Sequence, residues 1–128
     1  MQCVARLVRA VLGPDAIENR KLVCGLSLVI LGVRCQFNNA GLYLFPECCK
    51  VLKWCACIRD ALESGGLSAG DSQMLAGRLS WAQTHMFHKV GRAMLRPIFD
   101  QRWTRSGKIS KVLRAALLWW LNVLSMGI

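Results

Sequence analysis

From Leu75 to Ala93 apolar residues recur at three- and four-residue intervals: Leu75, Leu79, Ala82, Met86, Val90 and Ala93. At 100° per residue they gather on one arc of a helix, so the middle of the chain must bury one helical face. A neighbouring arc collects Arg78, Trp81, His85, Lys89, Arg92 and Arg96. Gly91 and Pro97 mark where so long a helix would bend or break. Few folds other than a helical bundle can use this pattern.

The flanking segments extend the bundle. Val4, Leu7, Val8, Val11 and Leu12 predict a first helix, stopped by Gly13-Pro14. Val51, Cys55, Ile58 and Leu62 form a stripe on a helix for which Pro46 suits the first turn and which Gly65-Gly66 ends. Ser68-Ala69-Gly70-Asp71 resembles a capping box, with Asp in place of Glu or Gln. Ser110 can cap a last helix whose inward face is Val112, Leu113, Ala116, Leu117, Trp120, Leu121 and Leu124. Leu26–Leu31 and Val33–Phe37 are rich in β-formers, with Gly32 as a bend or bulge; Asn38–Gly41 reads as a hairpin turn, and Leu42–Phe45 returns as the partner strand. The expected fold is mainly α with one β-hairpin (α+β), a small helical bundle packed on a two-stranded antiparallel hairpin. Its two segments, 1–66 and 67–128, make one compact unit.

Charge narrows the partners. Seventeen Lys and Arg against seven acids give +10 over 128 residues. Residues 72–128 hold nine of the bases and one acid, Asp100, for +8, and residues 1–71 are near neutral at +2. Such a concentration is the footprint expected for phosphates or another anionic surface; the plainer reading is a solvated basic face. A hydrophobic content of 54% excludes a disordered basic tail. With 19% charged residues the chain falls below the roughly 25% of ordinary soluble domains, which leaves apolar surface for a partner.

Other classes fit less well. The apolar runs Leu22–Val33 and Ala115–Ile128 are twelve and fourteen residues long, short of a membrane span, and read as core elements. Arg6 and Arg9 interrupt the apolar residues a secretory signal would need. Seven cysteines, an odd number, disfavour a disulfide scaffold and favour free thiols in a reducing, intracellular compartment. Cys48-Cys49 and Cys55-x-Cys57 lack zinc-knuckle spacing, and His85 and His88 have no carboxylate beside them, so no metal or cofactor is expected. The carboxylates are scattered, without an Asp-x-Asp pair or a histidine–nucleophile pair, so no catalytic residue is assigned.

A helix presenting cations every three or four residues can follow a sugar–phosphate backbone, and Trp81 and Trp103 could stack on bases. No base-reading motif accompanies it, so binding should depend little on nucleotide sequence. The Trp119-Trp120 helix, apolar almost all round, motivates an alternative: a small basic helical protein acting at a membrane surface or on a protein partner.

The order of short motifs carries a resemblance. Arg20-Lys21-Leu22 and Ile30-Leu31-Gly32-Val33 precede a hairpin with Gly41, then Lys50 and Trp54 before an amphipathic helix. Gly66-Leu67-Ser68, Ala76-Gly77-Arg78-Leu79-Ser80-Trp81-Ala82, Gly91-Arg92-Ala93, Leu95-Arg96-Pro97 and Leu117-Leu118-Trp119-Trp120 follow. Over roughly residues 5–125 this resembles the end of the palm, the thumb and the connection of a retroelement reverse transcriptase. The resemblance implies that Leu31 and Gly32 fall in a primer-grip-like hairpin. It places Arg78, Ser80 and Trp81 on a thumb helix beside a template–primer duplex; the helical spacing alone adds His85, Lys89, Arg92 and Arg96 to the expected nucleic-acid track. It also implies that the family's catalytic aspartates and ribonuclease H carboxylates lie outside these residues. The chain would then be a fragment that binds nucleic acid, works beside palm and ribonuclease H domains of a parent polyprotein, and is catalytically inactive alone.

Overall fold

A computed structural model of the protein describes residues 2–21, 24–85 and 91–126. The helices are α1 (Gln2–Leu12), α2 (Cys48–Ser64), α3 (Ala69–His85), α4 (Arg92–Asp100) and α5 (Lys111–Met126); the strands, between α1 and α2, are β1 (Ser27–Ile30), β2 (Val33–Asn38) and β3 (Gly41–Pro46). The fold is mainly α, of the α+β class.

The sheet has three antiparallel strands in the order β1-β2-β3, one more than the sequence pattern predicts. The added strand follows from the Leu31-Gly32 pair. Ile30 pairs with Val33, and the two residues between them hold φ of +50° and +80°. Both central residues in the left-handed region make a tight two-residue hairpin turn, where a bend or bulge was expected at Gly32. Leucine is foreign to that position, so the usual Asn-Gly signal is missing. The second hairpin is where Asn38–Gly41 predicts it: Asn38 pairs with Gly41, and the Asn38 side-chain oxygen accepts from the Ala40 amide at 2.9 Å. Pro46 ends β3 opposite Val33 rather than opening α2. A proline is tolerated there because β3 is an edge strand. Val33 and Pro46 are buried, and the rest of the sheet is half-buried or exposed.

The core lies among α2, α3, α4 and α5. Ile58 from α2, Leu75 and Leu79 from α3, Ile98 from α4 and Leu117 and Trp120 from α5 are each almost wholly buried. Leu113, Ala116 and Leu124 complete the inward face of α5, but Val112, expected there, is exposed. The α2–α3 and α4–α5 connections cross as a short bridge, with the Leu67 amide donating to the Gly107 carbonyl at 2.7 Å and the Ile109 amide to the Gly65 carbonyl at 3.2 Å. The buried Gln101 side chain donates to the Leu67 and Lys108 carbonyls at 3.1 and 3.2 Å. Ser68 and Ser110 cap α3 and α5, accepting from the Asp71 amide at 3.1 Å and the Leu113 amide at 3.2 Å.

The long helix of the sequence pattern is two helices. α3 ends at His85 and α4 begins at Arg92, then runs back along α3, so that the Ser72 hydroxyl near the start of α3 donates to the Ile98 carbonyl near the end of α4. Gly91 is buried against α5, and a Cβ there would lie 2.6 Å and 2.7 Å from two ring carbons of Trp120. Ala93, expected in the core, is accordingly exposed, and Leu95 and Ile98 are buried instead. Met86, His88, Lys89 and Val90 lie outside the described residues, as does the His85 side chain.

Candidate nucleic-acid interface

Three elements meet beside Trp81. The β1–β2 turn is pinned to α2 by the Glu47 amide, which donates to the Gly32 carbonyl at 2.9 Å. Lys50, in the first turn of α2, passes directly over Gly32, where a Cβ would overlap its ammonium and lie 3.0 Å from Cε. The positive φ favours glycine there, and a Cβ would push the Lys50 ammonium aside. From there Lys50 Nζ stands 5.1 Å from the centre of the Trp81 ring, a cation–π geometry.

Trp54, one helical turn after Lys50, is buried and meets Trp81 edge-on, with ring centres 6.3 Å apart and planes at 78°. The half-buried Trp81 thus sits on an aromatic floor that holds its orientation. Lys50, Lys53, Trp54, Gly77, Arg78 and Trp81 line an open cleft of about 450 Å³ with no carboxylate among them. Gly77, a turn before Trp81, leaves open space where a side chain would stand. No ion pair to a described carboxylate engages Lys50, Lys53 or Arg78.

Of the residues singled out in the sequence, Gly32, Arg78 and Trp81 come together here. Leu31 points away from the body, 92% exposed at the tip of its hairpin. Ser80, Arg92 and Arg96 do not join them. They line a separate cleft between α3 and α4, because Arg92 and Arg96 stand on a second helix that runs back along α3. The single track from Arg78 to Arg96 is therefore not formed. Trp103 lies on the 3-10 turn Gln101–Trp103 with the Arg102 guanidinium 4.6 Å from its ring centre.

The sequence pattern did not nominate Lys53 as a contact residue, and Lys50 and Trp54 entered only through motif order. Their signal was Lys50-x-x-Lys53-Trp54, which puts a cation and an indole one turn apart on the same helix. Among the described residues there is no group of three or more His, Cys, Asp or Glu able to hold a metal ion, and no helix long and apolar enough to cross a membrane. Comparison with protein-family models, curated proteins and solved structures finds no match to this chain.

Proposed function

We propose that the protein binds the sugar–phosphate backbone of a nucleic-acid duplex, without sequence specificity, through the cleft at Trp81. The observation that carries this reading is the meeting of Lys50, Lys53 and Arg78 around an indole, free of carboxylates, on a strongly basic chain. Cations neutralise phosphates and release counterions; an oriented indole packs on a sugar or an end base. The reading extends to a thumb-like fragment of a retroelement reverse transcriptase, supported by motif order and by the contact of the Leu31-Gly32 hairpin with the Arg78–Trp81 helix through Lys50. In that reading the chain performs no polymerase chemistry alone.

The test is fluorescence anisotropy with a short labelled primer–template duplex across a salt series. Log affinity should fall linearly with log salt, and Lys50→Met or Arg78→Met should each lower the slope by about one. Trp81→Ala should weaken binding at every salt concentration. Salt-independent affinity, or unchanged binding by Lys50→Met/Arg78→Met, would overturn the reading.

One observation favours a second reading, action at an anionic membrane surface. On α1, Val4, Leu7, Val11 and Leu12 are exposed, with Arg6 and Arg9 on the opposite side. Co-flotation with anionic vesicles, abolished by Leu7→Glu and indifferent to Lys50→Met, would select it.

A further inference from the structure

The three strands present two unlike faces. Cross-strand pairing sets Leu28, Cys35 and Leu44 in one row, Ile30, Val33 and Pro46 in another, and Phe37 opposite Leu42. With side chains alternating along each strand, these rows share a face, and it is apolar throughout. Ser27, Arg34 and Gln36 stand on the other face. The apolar face starts at the core, where Val33 and Pro46 are buried, and runs outward uncovered: Ile30, Phe37 and Leu42 are each more than half exposed. A second uncovered surface is the Val4, Leu7 and Val11 stripe of α1, with Arg6 and Arg9 on the far side of that helix. Since both surfaces are exposed, α1 does not lie on its own sheet. The Arg9 guanidinium instead donates to the Asn19 side-chain oxygen, in the 3-10 turn that follows α1.

The chain exposes 9059 Å², where a compact monomer of its mass, 14.3 kDa, exposes about 6,800 Å². The surplus of about 2,200 Å² per copy is in the range that one protomer buries in a permanent dimer. We propose that two copies pair by exchanging α1, each helix laying its Val4, Leu7 and Val11 stripe on the apolar sheet face of the other copy. The lengths agree: the eleven residues of α1 span about 16 Å, and the six-residue strands β2 and β3 about 20 Å. So does the charge. Both surfaces lie within residues 1–71, whose net charge is +2, and the sheet face itself carries no charged residue. An anionic membrane would take up α1 and leave the sheet bare, since that face has no cation for its headgroups. A second copy covers both surfaces, and a two-fold axis makes the two contacts identical. None of these residues lines the Trp81 cleft, so the pairing does not rest on duplex binding.

The experiment is sedimentation velocity of the full chain, freed of nucleic acid and kept reduced because Cys3, Cys24 and Cys49 are exposed. Salt of about 0.3 M screens the repulsion between basic copies. The chain should sediment at twice its monomer mass, with a Kd at or below about the micromolar range. Leu7→Glu on the helix and Phe37→Lys on the sheet should each weaken self-association by at least about a hundredfold, since each places a charge in an apolar contact. Mixing the two variants should restore a heterodimer. It keeps one native contact and sets Glu against Lys in the other, so it should bind at least about tenfold tighter than either variant binds itself. That recovery separates helix exchange from misfolding of a variant and from pairing of sheet on sheet, which Leu7→Glu would leave intact. A wild-type chain that stays monomeric, including one that only floats with anionic vesicles, overturns the proposal. So do assemblies larger than a dimer, wild-type pairing by either variant, or a mixture that fails to recover.

Discussion

Leu31 holds φ at +50° with its side chain 92% exposed, so its backbone strain is offset by no packing of its own. Leu31→Asn should stabilise the protein by about 1 kcal/mol, read as a higher urea midpoint, because Asn tolerates the left-handed region. Gly32 beside it admits no such freedom. Gly32→Ala should cost about 1–2 kcal/mol for the positive φ and, by displacing Lys50 from Trp81, weaken duplex binding as well. Two thiols carry a pH signature. Burial raises Cys55 above its ordinary value of 9.0, partly countered by Arg59. Cys57 is raised first by burial and further by Asp71 and Asp60 against Arg78. Folding therefore holds both protons that the unfolded chain releases near pH 9.0. Their contribution is complete below that pH and declines as pH climbs through the raised folded values. Urea midpoints measured from pH 7.5 to 10.5 should fall, and Cys57→Ala should flatten the decline.

At the scale of elements, the α3–α4 reversal determines which cations share a surface. Gly91 lets the chain pass against the Trp120 ring, whose indole N–H donates to the Met94 carbonyl at 3.3 Å. Gly91→Ala should destabilise by about 1–3 kcal/mol, because the ring is clamped between helices and cannot yield as a flexible side chain would. Chemical denaturation followed by tryptophan fluorescence would measure it. Helical periodicity made α2, α3 and α5 legible in the sequence, since each has one apolar stripe and a capping or stop residue at its ends. It could not show that Arg92 and Arg96 leave the line of Arg78, because 3.6-residue arithmetic continues through a reversal without notice. β1 was legible as β-rich sequence, but its pairing was hidden behind a leucine in a turn that usually takes Asn or Gly.

Across the whole molecule, burial is uneven. The α2–α5 body encloses the core, but Val4, Leu7, Val11 and Leu12 on α1 and Phe37 and Leu42 on the sheet are each more than half exposed. Amide hydrogen exchange should reflect this, with the amides of Ile58, Leu79 and Leu117 slower than those of α1 and β1 by at least about a hundredfold. A uniform exchange rate would contradict this division. The sequence alone determined the helical class, the asymmetry of charge and the residues that can bury an apolar stripe, because periodicity and composition are local properties of the chain. Only the tertiary structure decided that Gly32, Lys50 and Trp81 share one cleft and Gln83, Arg92 and Arg96 another. Those groupings depend on which helix each residue joins: at Leu31-Gly32 backbone twist sets the hairpin, and at the start of α4 Gly91 packs against a tryptophan more than twenty residues away.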